Sequence, residues 1–333
     1  TIVIMKKIMF LFSMMFTIML AMSSCSAEET ELSETIAVNQ INSLTIKKLQ
    51  EYNEVLMAQK PHTRAINGKG RIACADIFGA IRGIRTGRKL ATIVGLTTGG
   101  TGSVATIVGC GILYGARSSY EVYRSLNRFP VKTDDFFNYS LNLINQNVKS
   151  DTMNFYRRYV YEPKLQRIKL PSKFKDLQAV GYMHNQLILG YDYANPSPQA
   201  AMVKKHQDPL DNWTPPTLSD KTKILSVLNG KDFKSEVDKE MVILNSFVRN
   251  GQFDVDNYMK ANPIGDVKVE NAIKEYFKLF TNYPENVDDL VKITNDYIEI
   301  IESGNEFTED EKAMIYAGLM VSIYSPQIWN GFE

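Results

Sequence analysis

The stretch from Gly68 to Arg117 reads GKGRIACADIFGAIRGIRTGRKLATIVG (68–95) and then LTTGGTGSVATIVGCGILYGAR (96–117). Leu90 to Ala116 hold no charged residue across 27 positions, fenced by Arg88 and Lys89 before and Arg117 after. Glycines recur every fourth residue at Gly79, Gly83 and Gly87, then at Gly95 and Gly99, then at Gly111 and Gly115. On a helix that spacing clears one face of side chains, so a second helix can approach closely. A single helix over 90–116 would be about 40 Å long, enough to span a bilayer. Thr97 to Ser103 (TTGGTGS) opposes it, because each glycine costs a helix about 1 kcal/mol relative to alanine. With a bend there, neither half spans alone. The stretch therefore predicts a close-packed helical hairpin, buried in the protein, inserted shallowly in a bilayer, or paired with a second copy.

The basic half predicts a helix over Ala73 to Lys89, with six basic residues and one acidic residue, Asp76, between Gly68 and Leu90. Arg82, Arg85 and Lys89 fall roughly opposite the glycines, which suits a membrane surface, a domain edge or a solvated charged face. Cys74 and Cys110 sit about 26 and 10 residues from the bend near Gly100, an axial offset above about 20 Å in a continuous hairpin. That is far beyond disulfide reach, so the hairpin requires both to be buried thiols.

Working outward, Lys6 and Lys7 precede the apolar run Ile8 to Met22, the n-region and h-region of an export signal, with Met5 read as its start. The run ends in LAMSSCS, small residues directly before Cys25. This resembles a bacterial lipobox, with Met22 in the place leucine usually takes, and implies a lipid on Cys25. The expected organisation is a signal at 1–24, an acidic tether at 25–34, an N-terminal helix and hairpin at 35–130, and a helical domain at 131–333.

The remainder predicts helix after helix: Glu34 to Lys60, Thr133 to Tyr161, Ser172 to Tyr193, Ser219 to Asn229, Asp232 to Asn250, Asp254 to Ala261, Asp266 to Asn282, Asn286 to Ser303 and Thr308 to Ser325. Thr308 with Glu311 is a capping box, Asp254, Asp266 and Asn286 are N-cap types, and Gly251 and Gly304 are stops. HTRAINGKG (62–70) reads as a flexible joint, and the Pro-, Asn- and Asp-rich 194–218 as an irregular hinge. Strand signals are scarce. The fold class is all-α.

The 333 residues carry a net charge of +1, which gives no general reason to expect nucleic acid as a partner. Three cysteines and three histidines leave little material for a disulfide framework or a metal site, and no cofactor is expected. Gly100-Thr-Gly102-Ser-Val-Ala105 fits a dinucleotide fingerprint, yet no second strand follows, and Thr101 stands where a P-loop needs lysine. The chemistry-bearing motif is VGYMHNQLILGYDYAN (180–195). His184 as general base, oriented by Asn185 or Asp192, would need a distant serine or Cys74 as nucleophile. The alternative is a helix with Val180, Met183, Leu187, Ile188 and Tyr191 inward and His184 bonded locally. No catalytic residue is assigned.

Several of these stretches together resemble a group of exported or lipid-anchored proteins of Bacteroides-type bacteria. They are the lipobox-like start, GRIACADIFGAIRG running into the glycine-rich stretch, the G-x-x-HN-x-x-L motif at Gly181, His184, Asn185 and Leu187, and the ending AGLMVSIYSPQIWN (317–330). The resemblance implies an outer-membrane or cell-surface lipoprotein and brings no activity with it. In composition the glycine stretch is also similar to bacteriocin-like peptides and glycine-zipper envelope proteins. The expected protein is a non-enzymatic envelope lipoprotein, held to the membrane through Cys25, with packing, self-association or bilayer contact through 90–116. A bacteriocin-like membrane-active protein and a hydrolase using His184 are the alternatives.

Overall fold

The computed structural model describes residues 43–59, 68–93, 101–127, 135–142, 168–194, 226–249, 252–280 and 287–329. The signal, Cys25, the tether, Gly95, Gly99 and the hinge beyond Ala194 lie outside them. The architecture is all-α, and the helices form in chain order as α1 (Leu44–Ala58), α2 (Gly68–Ile93), α3 (Thr101–Asn127) and a short α4 at 135–142. A 3-10 turn (Ser172–Leu177) leads into α5 (Gln178–Ala194), followed by α6 (Lys231–Ser246), α7 (Val255–Ala261), α8 (Val267–Phe280), α9 (Val287–Ser303) and α10 (Glu309–Trp329).

The glycine spacing produces the predicted hairpin. A Cβ on Gly83 would lie 2.3 Å from the Cys110 carbonyl oxygen, and one on Gly79 2.5 Å from Ser118 Oγ. From the other side, a Cβ on Gly111 would meet Ile84, and one on Gly115 would meet the backbone of Asp76. α2 and α3 are therefore antiparallel and nearly in backbone contact, which only glycine permits. Gly87 is buried as well. Cys74 and Cys110 are buried and not joined in a disulfide, and burial pushes the Cys110 thiol far above its ordinary range.

Two helices seal the hairpin. α10 lies along α2, with Gly318 against Ile77 and Ile81, and α5 packs on both α3 and α10. Among the described residues no helix is long and apolar enough to cross a membrane. One contiguous apolar core runs from Ile46 in α1 through the hairpin to Tyr324 in α10.

Several boundaries differ from expectation. α1 starts at Leu44 instead of Glu34, because Ser43 takes the N-cap and its Oγ accepts from Ile46 N. The joint expected at 62–70 loses its last three residues to α2, and Thr101 to Ser103 belong to α3. α6 stops at Ser246 instead of Asn250, and the chain pairs Val248–Arg249 with Gln252–Phe253 in a two-residue antiparallel ladder. α10 runs past Ser325 through Pro326 to Trp329. The capping signals hold where they can be seen: Thr308 and Glu311 exchange hydrogen bonds, Asp254 accepts from Asn257, and Asp266 from Lys268 and Val269.

The N-terminus of α1 is capped across the fold. Ser43 Oγ and the N–H groups of Leu44 and Thr45 donate to the Glu306 carboxylate at 2.6, 2.9 and 2.8 Å. Desolvation pushes that carboxyl up, but these hydrogen bonds outweigh it and hold it down at about 2. A carboxyl depressed on folding contributes stability at neutral pH and loses it as pH falls from the ordinary value of 4.5 towards about 2. Glu306→Gln is thus expected to lower the urea midpoint at pH 7 and to narrow its gap to wild type steadily over that window. A gap independent of pH would rule the carboxylate out.

Candidate functional site

Three of the four stretches that carry the sequence resemblance meet at one buried point, with α3 between them. α2 brings Asp76, α3 brings Ser119, α5 brings His184 and Asn185, and α10 brings Ser325 and the Tyr324 carbonyl. Asp76, Ser119, His184 and Ser325 are fully buried, and Asn185 is 3% exposed. His184 Nε2 lies 3.2 Å from Asp76 Oδ1 and 3.2 Å from Ser119 Oγ. Its Nδ1 lies 2.9 Å from Asn185 Oδ1, and Asn185 Nδ2 donates to Tyr324 O at 2.7 Å. Ser325 Oγ donates to the other Asp76 oxygen, and Ser119 Oγ also bonds Ala116 O at 3.2 Å.

Two glycines make this convergence possible. A Cβ on Gly181 would stand 2.4 Å from Met320 O, so α5 presses onto α10 backbone to backbone. One turn further on, Asn185 then reaches Tyr324 O. A Cβ on Gly115 would stand 3.3 Å from His184 Cδ2, so that glycine leaves the imidazole its seat against the hairpin. The G-x-x-HN spacing is thereby explained: glycine sets the helix distance, and one turn later histidine and asparagine use it. Leu187 completes the inward face and is fully buried.

The hydrogen-bond directions follow from the amide. Because Asn185 spends its N–H on a carbonyl, its oxygen faces the ring, and His184 Nδ1 must donate. On the other side of the ring, Nε2 faces the Asp76 carboxylate at 3.2 Å. A nucleophile–histidine–carboxylate relay places the carboxylate on one ring nitrogen and the nucleophile on the other. Here Asp76 and Ser119 share Nε2, and an amide holds Nδ1. The set is enclosed by helices and ties four of them together.

Of the residues weighed in sequence, His184 and Asn185 are together, and the side chain of Asp192 lies outside the described ones. The serine at the ring is Ser119, which no sequence feature marks. Asp76 carried one usable signal, as the lone acid in an apolar and basic helix, where burial demands a partner.

The solvated charged face weighed for α2 is corrected at Arg82. Arg82 is 7% exposed. Its guanidinium donates to Glu240 of α6 and to Asn262 O, and sits over the Tyr258 ring at 5.3 Å. Tyr258 Oη also donates to Glu240, and Asn262 Nδ2 does so at 2.7 Å. Arg85, exposed along its length, donates to Ile264 O. These arginines fasten the α7–α8 connection to the hairpin. Lys89 is exposed as expected.

Among the described residues no group of three or more His, Cys, Asp or Glu side chains is placed to hold a metal ion. An open groove of about 430 Å³ runs along the outer face of α6, lined by Lys231, Lys234, Asp238 and Val242. It contains no histidine, and no buried polar group is directed into it. Compared with protein-family models, with curated proteins and with solved structures, the chain matches none.

Proposed function

We propose that this chain is a lipid-anchored, non-enzymatic protein of a Gram-negative cell envelope, held at the outer membrane or cell surface through Cys25. In this reading the glycine-rich hairpin is the spine of a helical body, not a membrane-inserting device. The observation that supports it best is the direction of the hairpin's apolar side chains. Ile72, Ile77, Phe78, Ile81, Ile84, Ile112, Leu113 and Tyr114 are all at most 4% exposed. Burial of that surface away from water is favourable by about 25 cal/mol per Å², so these side chains are already withdrawn from water and gain no further hydrophobic drive by entering a bilayer. The His184 constellation supports the non-enzymatic half of the reading, since its side chains are buried and spend their hydrogen bonds within the protein.

Two measurements test the proposal. Cells fed an alkyne fatty acid should label the wild-type protein and leave Cys25→Ala unlabelled; equal labelling of both would remove the anchor. Folded protein starting after Cys25 should release no dye from liposomes. Release by the wild type, lost in a Gly95→Leu, Gly99→Leu variant, would favour the bacteriocin-like alternative instead.

A further inference from the structure

α1 is joined to the body by hydrogen bonds that run almost all one way. Ser43 Oγ and two backbone N–H groups donate to Glu306. Gln50 donates to Glu275 Oε1 at 3.3 Å, Asn53 to Glu275 Oε2 at 3.0 Å, and Tyr52 to Asp296 at 2.5 Å. Asn53 Nδ2 also reaches Glu275 O at 2.9 Å, and Tyr297 Oη donates back to Asn53 Oδ1 at 2.7 Å. Beneath these contacts Ile46, Leu49 and Leu56 are buried.

The two sides of this interface are chemically distinct. α8, α9 and the turn at 304–306 form a groove rimmed by carboxylates, and α1 is a donor-bearing amphipathic helix that fits it. The hairpin that follows α1 in sequence packs instead on α5 and α10. The contacts of α1 are thus mainly with α8 and α9, separate from those that seal the hairpin. A 15-residue helix is marginal in water, so α1 depends on the groove for its order. None of the complementarity depends on the covalent link through 60–67.

We infer that the groove between α8 and α9 is a helix-receiving site, and that α1 of a second copy occupies it in a reciprocally exchanged dimer. A second copy is the fitting occupant because the match is residue by residue. It needs a hydroxyl at the N-cap, amides at 50 and 53, a phenol at 52, and apolar side chains at 46, 49 and 56. In dilute solution the chain's own α1 wins, since a short linker gives it a millimolar effective concentration. Exchange grows with protein concentration, and reciprocity closes the assembly at two copies.

Disulfide trapping in the full-length chain tests this. A Cβ on Gly304 would lie 3.4 Å from Thr45 Cβ, close to the span of about 3.5–4.5 Å that a disulfide needs. The Thr45→Cys, Gly304→Cys double variant should close within one chain when dilute. The two single variants are then mixed, incubated concentrated, diluted and oxidised. The expected main interchain disulfide joins position 45 of one chain to position 304 of the other, identified by mass mapping. Adding Asn53→Asp to the Thr45→Cys chain, which sets a carboxylate against Glu275, should abolish it. The inference is overturned if the double variant closes but the mixture gives no 45–304 link, or no more of it than of 45–45 and 304–304 links from random collision. Failure of the double variant to close overturns it too, because the docking of α1 would itself be wrong.

Discussion

Asp76→Ala is expected to destabilise the fold by about 3–5 kcal/mol, because it leaves the buried His184 ring and Ser325 hydroxyl without the carboxylate between them. With total stabilities commonly about 5–15 kcal/mol, that is enough to populate unfolded protein at ambient temperature. His184→Ala should cost a similar amount, since it strands Asp76 and opens a cavity beside Gly115. The informative quantity is the double variant. If the ring and the carboxylate act mainly through each other, the double loss falls short of the summed single losses by about 2 kcal/mol. Urea denaturation followed by circular dichroism measures all three. Strict additivity would mean that the 3.2 Å contact contributes no coupling energy.

The second large effect concerns glycine, where one substitution should be costly at one position and nearly neutral at another. Gly83→Ala drives a methyl group into the Cys110 backbone, 2.3 Å from its oxygen. Neither helix can yield without parting the hairpin, so a loss of about 3 kcal/mol is expected. Gly318→Ala meets side-chain atoms instead of backbone, Ile81 Cδ1 at 2.9 Å, Ile81 Cγ1 at 3.0 Å and Ile77 Cγ2 at 3.2 Å. A rotamer change accommodates that, and the gain of about 1 kcal/mol in helix propensity roughly offsets it. Thermal unfolding of the two variants should therefore separate widely. Equal losses would show that the close approach at Gly83 is not what holds it to glycine.

What was legible in the sequence was local. The four-residue glycine period, the capping box at Thr308 and Glu311, and the N-cap types at Asp254 and Asp266 all depend on neighbours within one turn, and all appear in the fold. The inward face of α5 was readable for the same reason. The partners of buried charges were not. Arg82 looked like a surface cation because its partner, Glu240, lies 158 residues away. Ser119 and Ser325 were invisible, since a helical serine most often bonds its own preceding turn and nothing nearby marks these two as different. The start of α1 was misplaced because Ile41 fits the apolar stripe, while the cap that ends the helix at Ser43 is completed by a carboxylate from the far end of the chain. Asp76 was the half-readable case: its need for a partner could be inferred, and the partner's identity could not.

The position of α10 bears on how the chain matures. The helix that seals the hairpin is made after every other described helix, and Ser325 lies 249 residues beyond Asp76. During synthesis the apolar hairpin is thus complete long before its cover exists. Folding rates fall as contacts become less local, so the nascent chain passes through an extended interval with that surface open. A ribosome stalled before residue 309 would hold an aggregation-prone chain, and so would a gene truncated there. The same delay leaves the hairpin without its cover until α10 itself has emerged.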